Sequence, residues 1–296
     1  MTTTSSGFAL GEHAVHAIVD EDCFEIDLAR MFPDADPDAL AVYDWLDPWH
    51  YAIATRRIRL GMHSFLVRTP SLNILVDMCV GDHKERPAHS AWNRRSGASL
   101  IASLAAIGLA PEDIDLVFCT HLHADHVGWN TQLVDGRWVP TFPRARYAMG
   151  REELTYWAAQ ASTSAQPETI NHGAYADSVL PVLASGQAME VAPGDSLFTG
   201  QRFTDLAGHT PGHLGMEISG GDRTVLFCGD AIHSPLQLPF PDLSSAFCSD
   251  RAQSARTRRA MLDEAAERGL WLCPAHFRGE RIVRIARQGE AYRLRD

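Results

Sequence analysis

Lysine is almost missing from this chain. Of its 26 basic residues only Lys84 is a lysine, a bias of base composition rather than of function. Basic residues of either kind never form a dense block, and the formal net charge is −11. A nucleic-acid partner needs a positive surface to meet phosphates, so that class is excluded. No apolar run reaches the roughly 18–20 residues of a membrane-spanning helix. The stretch Met1–Gly7 is small and polar, without the basic start and apolar centre of a secretory signal. The six cysteines, Cys23, Cys79, Cys119, Cys228, Cys248 and Cys273, include no Cys-x-x-Cys pair. They read as reduced thiols in a cytoplasmic protein. No internal repeat is visible.

What the chain does have is histidine in one place. Thr120-His121-Leu122-His123-Ala124-Asp125-His126-Val127-Gly128 puts three imidazoles and a carboxylate within six positions. The apolar run Ile114–Cys119, interrupted by Asp115, precedes it and reads as a buried strand, so the cluster sits on the loop leaving that strand. His121 and His123 can turn to one side of such a loop, and Asp125 and His126 to a second position. That spacing suits two metal ions better than one, with zinc, iron or manganese as natural partners of these donors. The alternative, a solvated loop that happens to be rich in histidine, is outweighed because the rest of the chain supplies further donors.

Hydrophobic content of 45% supports a large core. Residues 1–57 read as an irregular lead-in packed on that core, with a short helix at Glu25–Phe32, and residues 58–296 as the main body. Strands are expected at Ile58–Thr69 and Asn73–Met78, and a loop at Val80–Arg95. An amphipathic helix follows at Ser99–Leu109, ended by Gly108 and Pro111. This order is half of a layered α/β unit. Residues 129–200 hold Trp129, Trp138, Phe142, Tyr147, Tyr156, Trp157 and Tyr175, with a helix at Arg151–Gln160. A strand at Leu197–Leu206 comes next, then a hairpin of Leu214–Ile218 and Thr224–Phe227 around Gly220-Gly221-Asp222. Ser254–Arg268 is a helix capped by Asp250 or Ser254 and stopped by Gly269. Leu270–Cys273 is a strand, and a hairpin around Gln288-Gly289 closes the chain.

The motif His121-x-His123-x-Asp125-His126 resembles the signature of the metallo-β-lactamase fold superfamily. Three later motifs match in order: Gly208-His209-Thr210-Pro211-Gly212-His213, Phe227-Cys228-Gly229-Asp230 and Cys273-Pro274-Ala275-His276. The match runs from about Ile58 to the C-terminus. The resemblance implies a single-domain α/β fold, the four-layer αββα sandwich. It implies two divalent cations, zinc first with iron, manganese or cobalt as alternatives. His121, His123 and His209 would hold one, Asp125, His126 and His276 the other, with Asp230 bridging. His213 also follows a glycine, and residue chemistry alone does not separate it from His209; the family pattern chooses His209. Cys228 and Cys273 stand near proposed ligands, but a thiolate role is not needed.

Asp125 and His233 are the catalytic candidates. The Gly-Asp-x-x-His context of His233, and the Leu236-Gln237-Leu238-Pro239-Phe240-Pro241 segment after it, resemble the methyl parathion hydrolase branch; quorum-quenching lactonases often place a tyrosine there. His233 is then a donor to the substrate oxygen or leaving group, or else a structural histidine. In the superfamily, residues 129–200 often build the substrate pocket; each aromatic taken singly serves packing equally well. The implied activity is hydrolysis of a lactone, carboxylic ester or organophosphate, with a small-molecule substrate and a homodimer left open. Competing readings are a mononuclear iron enzyme of the persulfide dioxygenase type and a non-catalytic metal-binding module. His13, His16, His50, His63, His83, His89 and His172 lie outside the motifs and are expected to pack or face solvent.

Overall fold

Strands buried on both faces need apolar residues at every position, and Leu116–Cys119 (Leu-Val-Phe-Cys) is buried throughout. The computed structural model describes residues 7–97 and 99–295. Met1 to Ser6, most of the stretch read as lacking an export signal, lie outside them. The chain divides into two compact units, each of two segments: Met1–Asp20 with His63–Ala192, and Glu21–Met62 with Pro193–Asp296. Among the described residues no helix is long and apolar enough to cross a membrane.

In the first unit, Asn73–Val76, Leu116–Cys119, Arg146–Gly150 and Ala188–Val191 pair in parallel in that order. Parallel neighbours require crossovers, and the helices Ser99–Ala106 and Arg151–Thr163 lie in two of these connections. Leu66, Leu75, Leu100, Leu104, Val117, Tyr147 and Leu154 share the core. A separate hairpin, Thr131–Val134 with Arg137–Pro140, turns at Asp135-Gly136, both with positive φ. Asp-Gly is the composition that this turn favours.

The expected loop at Val80–Arg95 has neither helix nor strand, yet it is anchored. Lys84 is fully buried. Its Nζ donates to Thr131 Oγ1 at 2.6 Å and to the Asp177 carbonyl at 3.3 Å, and lies 3.5 Å from the centre of the Trp138 ring. Arg86, equally buried, makes a bidentate pair with Asp177 at 2.7 and 2.9 Å. Burial lowers the Lys84 pKa to about 7, against the pull of Asp177.

The second unit is built on the sheet Gln201–Asp205, Leu214–Gly220, Arg223–Gly229 and Trp271–Pro274, antiparallel except for its last pair. Helix Arg251–Arg268 is capped by Asp250, which accepts from Gln253 N, and ends at Gly269 with φ 67°. The terminal hairpin is Arg284–Gln288 with Ala291–Arg295.

The start of the chain differs from expectation. Instead of an irregular lead-in, Phe8–Leu10 pairs with a strand running from His13 to Asp27. The helix expected at Glu25–Phe32 is only Leu28–Met31, capped by Asp27. Acidic residues at Asp20, Asp22 and Glu25 spoil the alternation that marks a strand, and tertiary pairing with arginines supports the strand in its place. Arg95 meets Asp20, Arg278 and Arg281 meet Asp22, and Arg59 meets Glu25. Phe32, Leu46, Tyr51 and Ile58 then enclose Leu236 in one apolar cluster.

Candidate metal centre

In the first unit, the end of strand Leu116–Cys119 delivers Thr120 to His123, and a short helix, Ala124–Val127, follows. His121 and His126 are buried, with ring centres 4.0 Å apart. His121 Nε2 and His123 Nδ1 converge to 3.0 Å. Neutral imidazoles reach that distance by sharing a proton, and a shared cation accommodates it equally.

A residue that the motifs do not contain organises this cluster. Asp77, with φ 57° at the end of strand Asn73–Val76, is almost fully buried. Its Oδ1 accepts from Thr120 N at 2.8 Å, and the Thr120 hydroxyl donates to Oδ2 at 2.9 Å. Oδ2 also lies 3.0 Å from His126 Nδ1. A carboxylate only accepts, so His126 carries its proton on Nδ1 and leaves Nε2 as a lone pair. The Thr120 proton is committed to Asp77, so the Thr120 oxygen accepts from His121 Nδ1 at 3.2 Å, which makes His121 Nε2 a second lone pair. Asp125 Oδ1 stands 3.9 Å from His126 Nε2.

In the second unit, three imidazoles surround one carboxylate. Asp230 Oδ2 is 3.2 Å from His209 Nε2 and 3.2 Å from His233 Nε2, and Oδ1 is 3.1 Å from His276 Nε2. A register shift between Phe227 and Gly229, with φ 46° at Gly229, ends the strand that carries Asp230. Bulges of this kind re-aim the next side chain. His276 Nδ1 faces the Gly61 carbonyl at 2.9 Å, so it holds the proton there. His209 Nδ1 lies 3.4 Å from Cys248 Sγ, whose own proton points to Ser254 Oγ. In both histidines Nε2 is then an acceptor facing an acceptor. That is a repulsive arrangement for neutral rings and a fitting one for a cation held by imidazole and carboxylate. Within this unit, His209, Asp230 and His233 offer three ligand atoms within 4.8 Å of one another.

The structure separates the two glycine-loop histidines. His213 Nδ1 donates to the Leu206 carbonyl at 3.1 Å, and its Nε2 accepts from Asp230 N at 3.2 Å. It holds the backbone of Asp230, while His209 faces the carboxylate. Gly208, with φ 133°, has no room for a side chain, since a Cβ would stand 2.4 Å from Ser254 N. His233 is buried, its ring 6.4 Å edge-on from Phe32, and its backbone N–H donates to Gln237 Oε1 at 2.7 Å. Burial lowers its pKa, against the pull of Asp230. Cys228 and Cys273 are buried strand residues, and burial pushes the Cys273 thiol well up, away from the thiolate that a metal needs.

Of the aromatics, Trp129 and Tyr175 join the core. Trp157 does so too, yet its ring stands edge-on to His123 at 5.7 Å and packs on Tyr156 at 5.0 Å. Sequence reasoning missed Asp77 and Cys248. Asp77 had a visible signal: Ile74-Leu75-Val76-Asp77 is an apolar strand ending in aspartate, the same form as the stretch that ends in Asp230. Cys248 had none.

The model of the metallo-beta-lactamase superfamily matches residues 59–276. A probable metallo-hydrolase of Mycobacterium bovis is 28% identical over 193 residues, 60% of this chain and 58% of that protein; the chain thus matches under two thirds of this curated relative. The crystal structure of AbOPH, a hydrolase in the beta lactamase superfamily, superposes with a TM-score of 0.78 at 22% identity, covering 97% of this chain and 95% of the other. AidC, a dizinc quorum-quenching lactonase in complex with a product, gives 0.78 at 21%, covering 98% and 96%. At such identities the likeness is one of fold, while the family rests on the matched model: this chain belongs to the metallo-beta-lactamase superfamily.

Proposed function

We propose that this chain is a dinuclear metal-dependent hydrolase of a lactone, carboxylic ester or organophosphate ester. The observation that carries the reading is the Asp230 carboxylate facing the Nε2 atoms of His209 and His276, whose other ring nitrogens are turned to acceptors. Following the family pattern, His121, His123 and His209 would hold one cation and Asp125, His126 and His276 the other, with Asp230 available to both. When bound, two such cations supply Lewis acidity and a water acidified toward neutral pH. Zinc fits these nitrogen and oxygen donors, as in the dizinc lactonase of similar fold.

The protein's own part is to fix these donors and to assist the substrate. Asp77 and Thr120 set the tautomers of His126 and His121, and His213 holds the Asp230 backbone. His233 donates to the substrate oxygen or to the leaving group. Trp157, edge-on to His123, and Tyr156, packed on Trp157, bear on the acyl or aryl part of the substrate.

Elemental analysis of the purified protein, with a hydrolysis screen of lactones, aryl esters and phosphotriesters, tests this. Two equivalents per chain are expected, with His121→Ala and His276→Ala each losing about one. One equivalent in the wild type, indifferent to changes at Asp125 and His126, would sink the dinuclear reading. A second reading has one specific support: His209, Asp230 and His233 form a two-imidazole, one-carboxylate set of the kind that holds non-haem iron(II). A single iron, with oxygen consumption in place of hydrolysis, would favour it.

A further inference from the structure

Residues two apart in an extended loop present their side chains on the same side only while the peptide between them stays extended. His121 Nε2 and His123 Nδ1 converge to 3.0 Å across Leu122, and both polar groups of Leu122 are taken by side chains of the 151–173 segment. Leu122 N donates to Glu153 Oε1 at 3.2 Å, and the Leu122 carbonyl accepts from Asn171 Nδ2. The same Glu153 oxygen accepts Trp157 Nε1–H at 2.9 Å, and the Trp157 ring stands edge-on to His123. Glu153 is fully buried. A buried carboxylate is costly unless donors meet it, and here Leu122 and Trp157 are such donors. Asn171 sits at φ 54°, ψ 46°, a left-handed conformation that asparagine tolerates better than most residues.

We infer that Glu153 and Asn171 are positioning residues that brace Leu122 from both sides and so hold His121 Nε2 and His123 Nδ1 on one cation. The inference rests on the metal reading above. It ties the helix Arg151–Thr163, which carries Tyr156 and Trp157, mechanically to the metal ligands. Only acceptor oxygen is required of residue 153, not charge.

Cobalt(II) titration of the metal-stripped full chain, followed by visible absorption, tests this in the wild type and in E153Q, E153L and N171A. Losing an outer partner of a ligand typically weakens metal binding about 10–100-fold. E153L and N171A should show that loss in one of the two binding steps, with an altered ligand-field spectrum, and leave the other step alone. E153Q keeps an acceptor oxygen and should stay within about threefold of the wild type, under 1 kcal/mol. Should E153L fail to fold, N171A decides, since it removes only the carbonyl partner. Wild-type affinity and spectrum in the variants, beside a wild type that binds two cobalt ions, overturns the brace alone. A loss in E153Q equal to that in E153L also overturns it. A wild type that binds no cobalt overturns both the brace and the metal reading.

Discussion

Asp77 Oδ2 lies 3.0 Å from His126 Nδ1, and the same carboxylate accepts both the N–H and the hydroxyl of Thr120, the residue before His121. One carboxylate therefore sets the protonation of two proposed ligands. Asp77→Asn would place an amide N–H₂ against one of these donors. Metal affinity should fall about 10–100-fold while the fold survives, as read by zinc competition against a chromophoric chelator. Unchanged affinity would remove Asp77 from the site.

His233 should matter for turnover and not for metal content. Removing one donor aimed at developing charge typically costs on the order of a hundredfold in rate, roughly 3 kcal/mol. His233→Ala should lower kcat by about that factor with both metals retained. His233→Tyr should recover activity on lactones more than on phosphotriesters. A change in kcat under about threefold, less than 1 kcal/mol, returns His233 to a packing role beside Phe32.

His50 makes stability sensitive to acid. Burial first, and then the Arg278 cation, lower its pKa from 6.5 to about 4. Below pH 6.5 the unfolded chain binds a proton that the folded chain refuses until near pH 4. Stability from this group is therefore complete above pH 6.5 and declines as the pH falls toward 4. Melting temperatures across that window should fall less steeply for His50→Gln than for the wild type. Parallel curves would count against the assignment.

Gly128 has an ordinary helical φ of −56°, so only space forbids a side chain there. A Cβ would stand 1.9 Å from the backbone of Val80, in the segment whose Cys79 carbonyl accepts from Gly128 N at 2.8 Å. Gly128→Ala should destabilise by about 3 kcal/mol or more, because two backbones must part. A melting temperature within a degree of the wild type would show that the loop yields freely.

Legibility followed the range of the interactions. His121 to His126 could be read because the donors cluster within six positions after an apolar strand. The helix expected at Ser254–Arg268 could be read because Gly269 marks its end locally, although it starts three residues earlier, at Arg251, since Asp250 rather than Ser254 is its cap. The strand His13–Asp27 could not, because arginines far along the chain neutralise its acidic residues. Distance in sequence also hid the bond from Glu153 to Leu122 and the one from His276 to Gly61. His209 and His213 are chemically identical in the sequence, where the family pattern alone chooses His209; around Asp230 the two rings face different partners.

Lys84, the single lysine, lies wholly inside the protein between Thr131, Asp177 and the Trp138 ring. The folded surface thus offers no side-chain amine. Activated esters and aldehydes have no lysine to modify on the intact protein, and immobilisation or cross-linking through lysine will fail. Acylation of Lys84, counted by mass spectrometry, becomes a clock for the opening of the 80–95 loop away from Asp177.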